Sequence, residues 1–213
     1  MKWLIDTHKK IWSQEFFWSV IAGVILFFLS LVVNYYAASY ASERVSLPVT
    51  DVILSNIRAY DVDWIILYGA LILIAFTVLV LIYQPKRIPF VLKSLALFII
   101  IRSTFISLTH LGPFPTQITF DPSRLFNILS LNTTADLFFS GHTGIPFLLA
   151  LIYWDRIALR WIFLATCVVF AVSVLLGHLH YSIDVFAAFF ITYSIFAISQ
   201  KIFREDWKLS RSR

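Results

Sequence analysis

The sequence predicts an all-α integral membrane protein with six transmembrane helices and both termini cytoplasmic. Three observations carry this. The chain is 60% hydrophobic, with a mean hydropathy of +0.83. Only 14% of its residues are charged, against about 25% in soluble domains. Its apolar residues also come in runs close to the ~20 residues that cross a bilayer.

The spans read as Phe16–Tyr40, Trp64–Tyr83, Pro89–Leu108, Phe138–Trp154, Leu159–Leu176 and Ile183–Phe203. The fourth is short and opens on "FFSGH", which softens its boundary. Ahead of the first span, "MKWLIDTHKKIWSQ" (Met1–Gln14) is too polar to cross. It suits an interfacial helix with Trp3, Leu4 and Ile11 against lipid. No small-residue cleavage site follows the first apolar run, so no cleaved leader is expected. The expected organisation is an interfacial segment over residues 1–15, a membrane domain over 16–203 and a basic tail over 204–213.

Charge sets the orientation. Twelve Lys and Arg residues, from Lys2 to Arg213, fall on the side of the two termini. Arg44, Arg58 and Arg124 fall on the other, and Lys93 and Arg102 lie inside the third span. This is a positive-inside pattern. It also accounts for the net charge of +5 without nucleic acid. Lys93 is expected to snorkel to the cytoplasmic interface. Cys167 is the only cysteine, which excludes a disulfide framework and a cysteine-based metal site.

The same orientation gathers the polar residues. His110, His142, His178 and His180 lie on the outer side at or near helix ends, together with Asp136, Asp184 and Arg102. Ionisable groups at membrane spans are costly, and a functional site is the default reading for them. "SGHTG" (Ser140–Gly144) stands where a loop becomes the fourth helix. A helix N-terminus offers free N–H groups and a partial positive charge. Gly141 permits close approach of a ligand, and the Ser140 hydroxyl adds a donor. Together they make a candidate phosphate cradle, with His142 beside it. In "HYSID", His180 and Asp184 are spaced i, i+4 and share a helix face. The carboxylate can hold one imidazole nitrogen and leave the other free to attack. Arg102 would neutralise charge on a bound phosphate.

"SGHT" (140–143) and "HYSIDV" (180–185) resemble the paired signatures of the sphingomyelin synthase family, part of the phosphatidic acid phosphatase type 2 (PAP2) superfamily. The match extends over "DLFFSGHT" (136–143) and "LLGHLHYSIDVFAAFFIT" (175–192). "SLPVTD" (46–51) resembles that family's Leu-Pro motif, and "RSTFISLTHLGPFP" (102–115) its arginine-containing third-helix region. The resemblance implies a PAP2-like bundle without metal or organic cofactor, acting on phospholipid and lipid-alcohol substrates. It implies that His180 attacks the headgroup phosphorus, that Asp184 orients it and that His142 protonates the leaving diacylglycerol oxygen. A phosphohistidine then passes the group to a second alcohol or to water. The phosphatase branch carries a Lys-x6-Arg-Pro motif that is absent here, and an arginine where this chain has Val174. The synthase branch often has Cys-Gly-Asp where this chain has Thr134-Ala135-Asp136. Asp136 is a candidate for binding a cationic headgroup or polarising a histidine.

The outer loop from His110 to Phe139 is long for a connection between spans. Its Phe114, Phe120, Leu125, Phe126 and Ile128 suit a lid on the interface, or an interfacial helix with no catalytic part. Asn132–Thr134 is formally a glycosylation sequon. A lipid phosphate phosphatase using the same residues is the alternative enzyme. A channel or transporter is the alternative of another class. Against the latter, the ionisable groups gather at one face and form no path across the bilayer.

Overall fold

A computed structural model describes residues 12–118 and 137–212. The segment before Trp12, Asp136, Arg124, the Asn132–Thr134 sequon and the loop residues Phe120, Leu125, Phe126 and Ile128 lie outside the described residues.

Among the described residues seven α-helices follow in order: α1 Gln14–Glu43, α2 Asp63–Tyr83, α3 Ile88–Leu108, α4 Gly141–Ile152, α5 Ile157–Leu176, α6 Ser182–Ile202 and α7 Arg204–Arg211. Local chemistry marks their starts. Ser13 caps α1 by accepting from Phe16 N at 3.3 Å, and Pro89 occupies the first turn of α3, where its missing N–H costs nothing. Among the described residues five helices, α1, α2, α3 with its preceding 3-10 turn Pro85–Arg87, α5 and α6, are long and apolar enough to cross a membrane. The chain is a multi-pass membrane protein.

The expected fourth span differs from its sequence reading. Instead of Phe138–Trp154 the helix covers Gly141–Ile152, 12 residues. At 1.5 Å per residue that is about 18 Å, short of the ~30 Å hydrocarbon core. The cause lies at its start. Ser140 takes extended backbone and caps the helix with its side chain, while Phe139 adopts a positive φ of 25°. The chain therefore descends in non-helical form over 137–140 and turns helical only at Gly141.

Short connections after α2, α4 and α5 turn each of these helices back along its neighbour, which gives the bundle two ends. The core is formed by α4 against α5 and α6, with α3 closing it, α1 lying along α3 and α2 against α5. Phe90, Phe98, Phe139, Leu148, Ile152, Phe163 and Phe170 fill the interior.

One end is basic and tightly tied. Arg87 donates to Asp155 Oδ2 and to Ile152 O, both at 2.6 Å, and stacks on Tyr153. Burial pushes the Asp155 carboxyl up, but the Arg87 hydrogen bond and charge hold it below the usual carboxylate value. Lys93 does reach toward this end, but not to solvent. It donates to Asp206 Oδ2 at 2.6 Å and Ser19 Oγ at 2.7 Å. The residues read as a basic tail include α7, held by that ion pair and by Trp207 packed against Phe90 and Phe196.

Gly144 shows how tight the bundle is next to the first turn of α4. A Cβ there would lie 2.6 Å from Phe98 Cζ and 2.9 Å from Thr192 Oγ1. Gly144→Ala should therefore destabilise the protein by about 1–3 kcal/mol, the range for overpacking a filled core. Thermal unfolding in detergent checks this, and an unchanged melting temperature would contradict the packing described.

Candidate active site

The histidine end is where α4 and α6 begin, and their N-termini are joined directly. Ser140 N donates to Asp184 O at 3.1 Å. The non-helical descent into α4 is then satisfied by the residues singled out in the sequence. His180 Nδ1 lies 3.3 Å from Leu137 O, and Arg102 Nε donates to Phe139 O at 3.0 Å. Irregular backbone at membrane depth persists only where protein groups or water pair with it. Arg102 lies six residues before the end of α3, about 9 Å of helical rise, so α4 opens below the end of its neighbour.

Arg102 is buried, and its guanidinium lies against Gly141, whose added Cβ would sit 3.4 Å from Nε. A cation therefore stands beside the first residue of α4, where the helix dipole already favours an anion. Ser140 also caps α4. Its Oγ accepts from Thr143 N at 3.3 Å as the helix cap. His142, the second residue of α4, is half-buried and meets Phe170 edge-to-face, with centroids 5.8 Å apart. Pro146, one turn on, has no N–H to offer the His142 carbonyl.

His180 and Asp184 are brought together as their spacing predicts, but less simply. Nδ1 of His180 lies 3.5 Å from Asp184 Oδ2. The shorter contact to that oxygen comes from Tyr181 N, at 3.1 Å, so Asp184 also caps α6. Two acceptors, Leu137 O and the Asp184 carboxylate, face Nδ1. That arrangement places the proton on Nδ1 and the lone pair on Nε2. Asp184 is fully buried, and its Oδ1 has no hydrogen-bond partner among the described residues.

His178 does not join this pair. Its backbone is in the left-handed region, φ 52°, its Nδ1 meets Thr116 Oγ1 at 2.5 Å, and Phe114 packs on its ring. His110 lies against Tyr40. Among the described residues no group of three or more His, Cys, Asp or Glu side chains is placed to hold a metal ion.

Two contributors are absent from the sequence reading of the site. Asp51, from the "SLPVTD" stretch, accepts from Ser182 N at 2.7 Å and Ser182 Oγ at 2.8 Å. Tyr181 OH donates to Gly112 O at 2.7 Å and accepts from Val49 N at 3.2 Å. Nothing in the spacing of Asp51, Val49 or Gly112 joins them to "HYSID". The one sequence signal was an acidic residue in a stretch already quoted for its resemblance.

Burial holds His178 below the ordinary histidine value, although the Asp51 charge opposes this. Burial also pushes Asp51 up, but hydrogen bonds from Leu54, Ser182 and Ile53 outweigh it and leave that carboxyl below its usual value. Both shifts have the same sign for stability: the unfolded chain binds more protons than the folded one. His178 therefore contributes stability above about pH 6.5 that is lost as the pH falls. Asp51 contributes stability above about pH 4 that is lost as the pH falls through its folded value. The melting temperature should drop between pH 7 and 5, and His178→Gln should flatten that part of the curve. A profile that is flat in the wild type would contradict it.

No curated protein and no solved structure matches the chain. Residues 133–201 match the family model described as "PAP2 superfamily C-terminal". That stretch holds the whole of α4, α5 and the two histidine motifs, and it supports a lipid enzyme of the phosphatase or phosphotransferase type. The match supports membership of the PAP2 superfamily.

Proposed function

We propose that the protein is a membrane lipid phosphotransferase. It moves a phospho-alcohol headgroup from a glycerophospholipid to a lipid alcohol, ceramide or diacylglycerol, through a phosphohistidine on His180. The observation that carries this reading is the convergence of His180, Asp184 and Arg102 on residues 137–141, at the mouth of α4. With the termini cytoplasmic, as the Lys/Arg asymmetry indicates, this mouth is extracytoplasmic. α4 then serves as a short sixth span.

The chemistry balances in two steps. The Nε2 lone pair of His180 attacks phosphorus, and the bond from phosphorus to the diacylglycerol oxygen breaks. That oxygen takes a proton from His142. The acceptor hydroxyl then gives its proton to His142 and attacks phosphorus, and the P–N bond breaks, returning the electron pair to His180. Arg102 and the α4 N-terminus stabilise the charge on the phosphoryl oxygens throughout. Asp136 is part of this proposal as a headgroup ligand.

Hydrolysis is the second reading, favoured by the family match, whose breadth covers water as acceptor. Against it stands Val174, fully buried in α5, at a position where the phosphatase branch of the resembled superfamily has an arginine. Purified protein in mixed micelles decides between them. The donors are headgroup-labelled phosphatidylcholine, phosphatidylethanolamine, phosphatidylglycerol and labelled phosphatidic acid, each with ceramide and diacylglycerol. Label on the acceptor lipid is the expected result. Label released only as phospho-alcohol or phosphate would replace transfer with hydrolysis, and no turnover on any donor would remove both.

A further inference from the structure

We propose that Asp51, on the connection between α1 and α2, is a positioning residue for His180, an inference that rests on the phosphotransfer reading above. Asp51 is 7% exposed and its two oxygens divide their work. Oδ1 accepts from Ile53 N at 2.8 Å and Leu54 N at 3.0 Å, which folds its own loop. Oδ2 accepts from the N–H and hydroxyl of Ser182, the first residue of α6.

His180 needs such support. It precedes α6 and follows His178, whose left-handed backbone breaks the run from α5. No helical ladder fixes it. The two residues after it are tied to the outer connections: Val49 and Gly112, from two different connections, meet the Tyr181 hydroxyl, and Asp51 meets Ser182. A displacement of about 1 Å at a reacting group can cost on the order of 100-fold in rate. The Asp51 carboxylate has a second consequence. Together with Asp184 it places negative charge at the N-terminus of α6, where the dipole favours it. The neighbouring terminus of α4, beside Arg102, is then the one open to an anionic phosphate.

The test uses the micelle assay with the donor that the wild type turns over fastest. Asp51→Asn puts an amide N–H against one pair of donors, so one of the two attachments is lost. Its kcat should fall about 10- to 100-fold, with KM within about twofold and helicity unchanged. Ser182→Ala keeps its N–H bond and should lose less, about 3- to 10-fold in kcat. Adding it to Asp51→Asn should lower the rate further by no more than about twofold, because both act on one contact. Asn56→Ala removes a different bond of the same loop, to Val52 O at 2.8 Å, and should leave kcat unchanged.

Wild-type kcat in Asp51→Asn overturns the proposal, as does an equal loss in Asn56→Ala or simple multiplication in the double variant. If Asp51→Asn does not fold, Ser182→Ala alone decides, and a wild-type kcat there overturns the proposal. A wild type without turnover instead removes the phosphotransfer reading and this inference with it. An active wild type with an indifferent Asp51 removes only the inference.

Discussion

His180→Ala should lose turnover by about 10⁴-fold or more, the scale on which removal of a covalent nucleophile acts. The reason is specific to Nε2. Nδ1 is engaged with Leu137 O and the Asp184 carboxylate, so the second nitrogen carries the lone pair. Alanine offers no atom to replace it. The structural penalty is smaller, about 1–2 kcal/mol for the hydrogen bond lost from a buried carbonyl. The variant should remain folded and helical. Initial rates in mixed micelles measure the effect, and retention of more than a few per cent of wild-type rate would remove His180 as nucleophile.

The second large effect is expected at Asp184. Asp184→Asn keeps shape and volume, and its amide oxygen can still accept from Tyr181 N, so the start of α6 survives. What goes is the charge facing Nδ1. Covalent attack makes the imidazole more positive, and a buried carboxylate 3.5 Å away stabilises that state. Tyr181 N and Nδ1 share the one oxygen, Oδ2, so an amide oxygen there keeps both contacts without the charge, whereas an amide N–H there would lose the cap and favour the tautomer with the proton on Nε2. The equivalent change in a serine-protease triad costs about 10⁴-fold in kcat. A loss of 10³- to 10⁴-fold is expected here, in kcat more than in KM. Near-wild-type kcat would reduce Asp184 to the capping role it also performs.

Both effects concern residues that the sequence exposes, and the reason is periodicity. His180 and Asp184 fall one turn apart at the head of an apolar run. Their pairing needs no knowledge of distant segments. The five long helices are legible for the same reason, since about 20 apolar residues announce a span without reference to partners. The start of α4 was legible only in part: "SGHTG" marked the change from loop to helix, while Phe138 and Phe139, as apolar as any membrane residue, read as part of the span. Their exclusion from the helix follows from Ser140 capping it and from His180 and Arg102 serving the carbonyls of Leu137 and Phe139. Those contacts join positions far apart in the chain.

Lys93 teaches the same lesson. Its stem suits snorkelling, and only the fold brings Asp206 to its ammonium group. Asp51 is the clearest case. An aspartate in a polar outer loop carries no signal of its own, and it gains meaning only where Ser182 meets it. Arg102 falls between these cases. Its depth in the third span marked it as a charge to explain, but its hydrogen bond to Phe139 O is a backbone contact that sequence cannot announce.

The covalent route through His180 is the centre of this account, and the stereochemistry at phosphorus tests it most directly. A glycerophospholipid of one phosphorothioate configuration is supplied with diacylglycerol or ceramide as acceptor, and the configuration of the lipid product is read. Two successive in-line displacements, onto His180 and off it, predict net retention. Net inversion would mean that the acceptor attacks phosphorus directly, and would contradict the phosphohistidine on which the roles of His180, Asp184 and His142 depend.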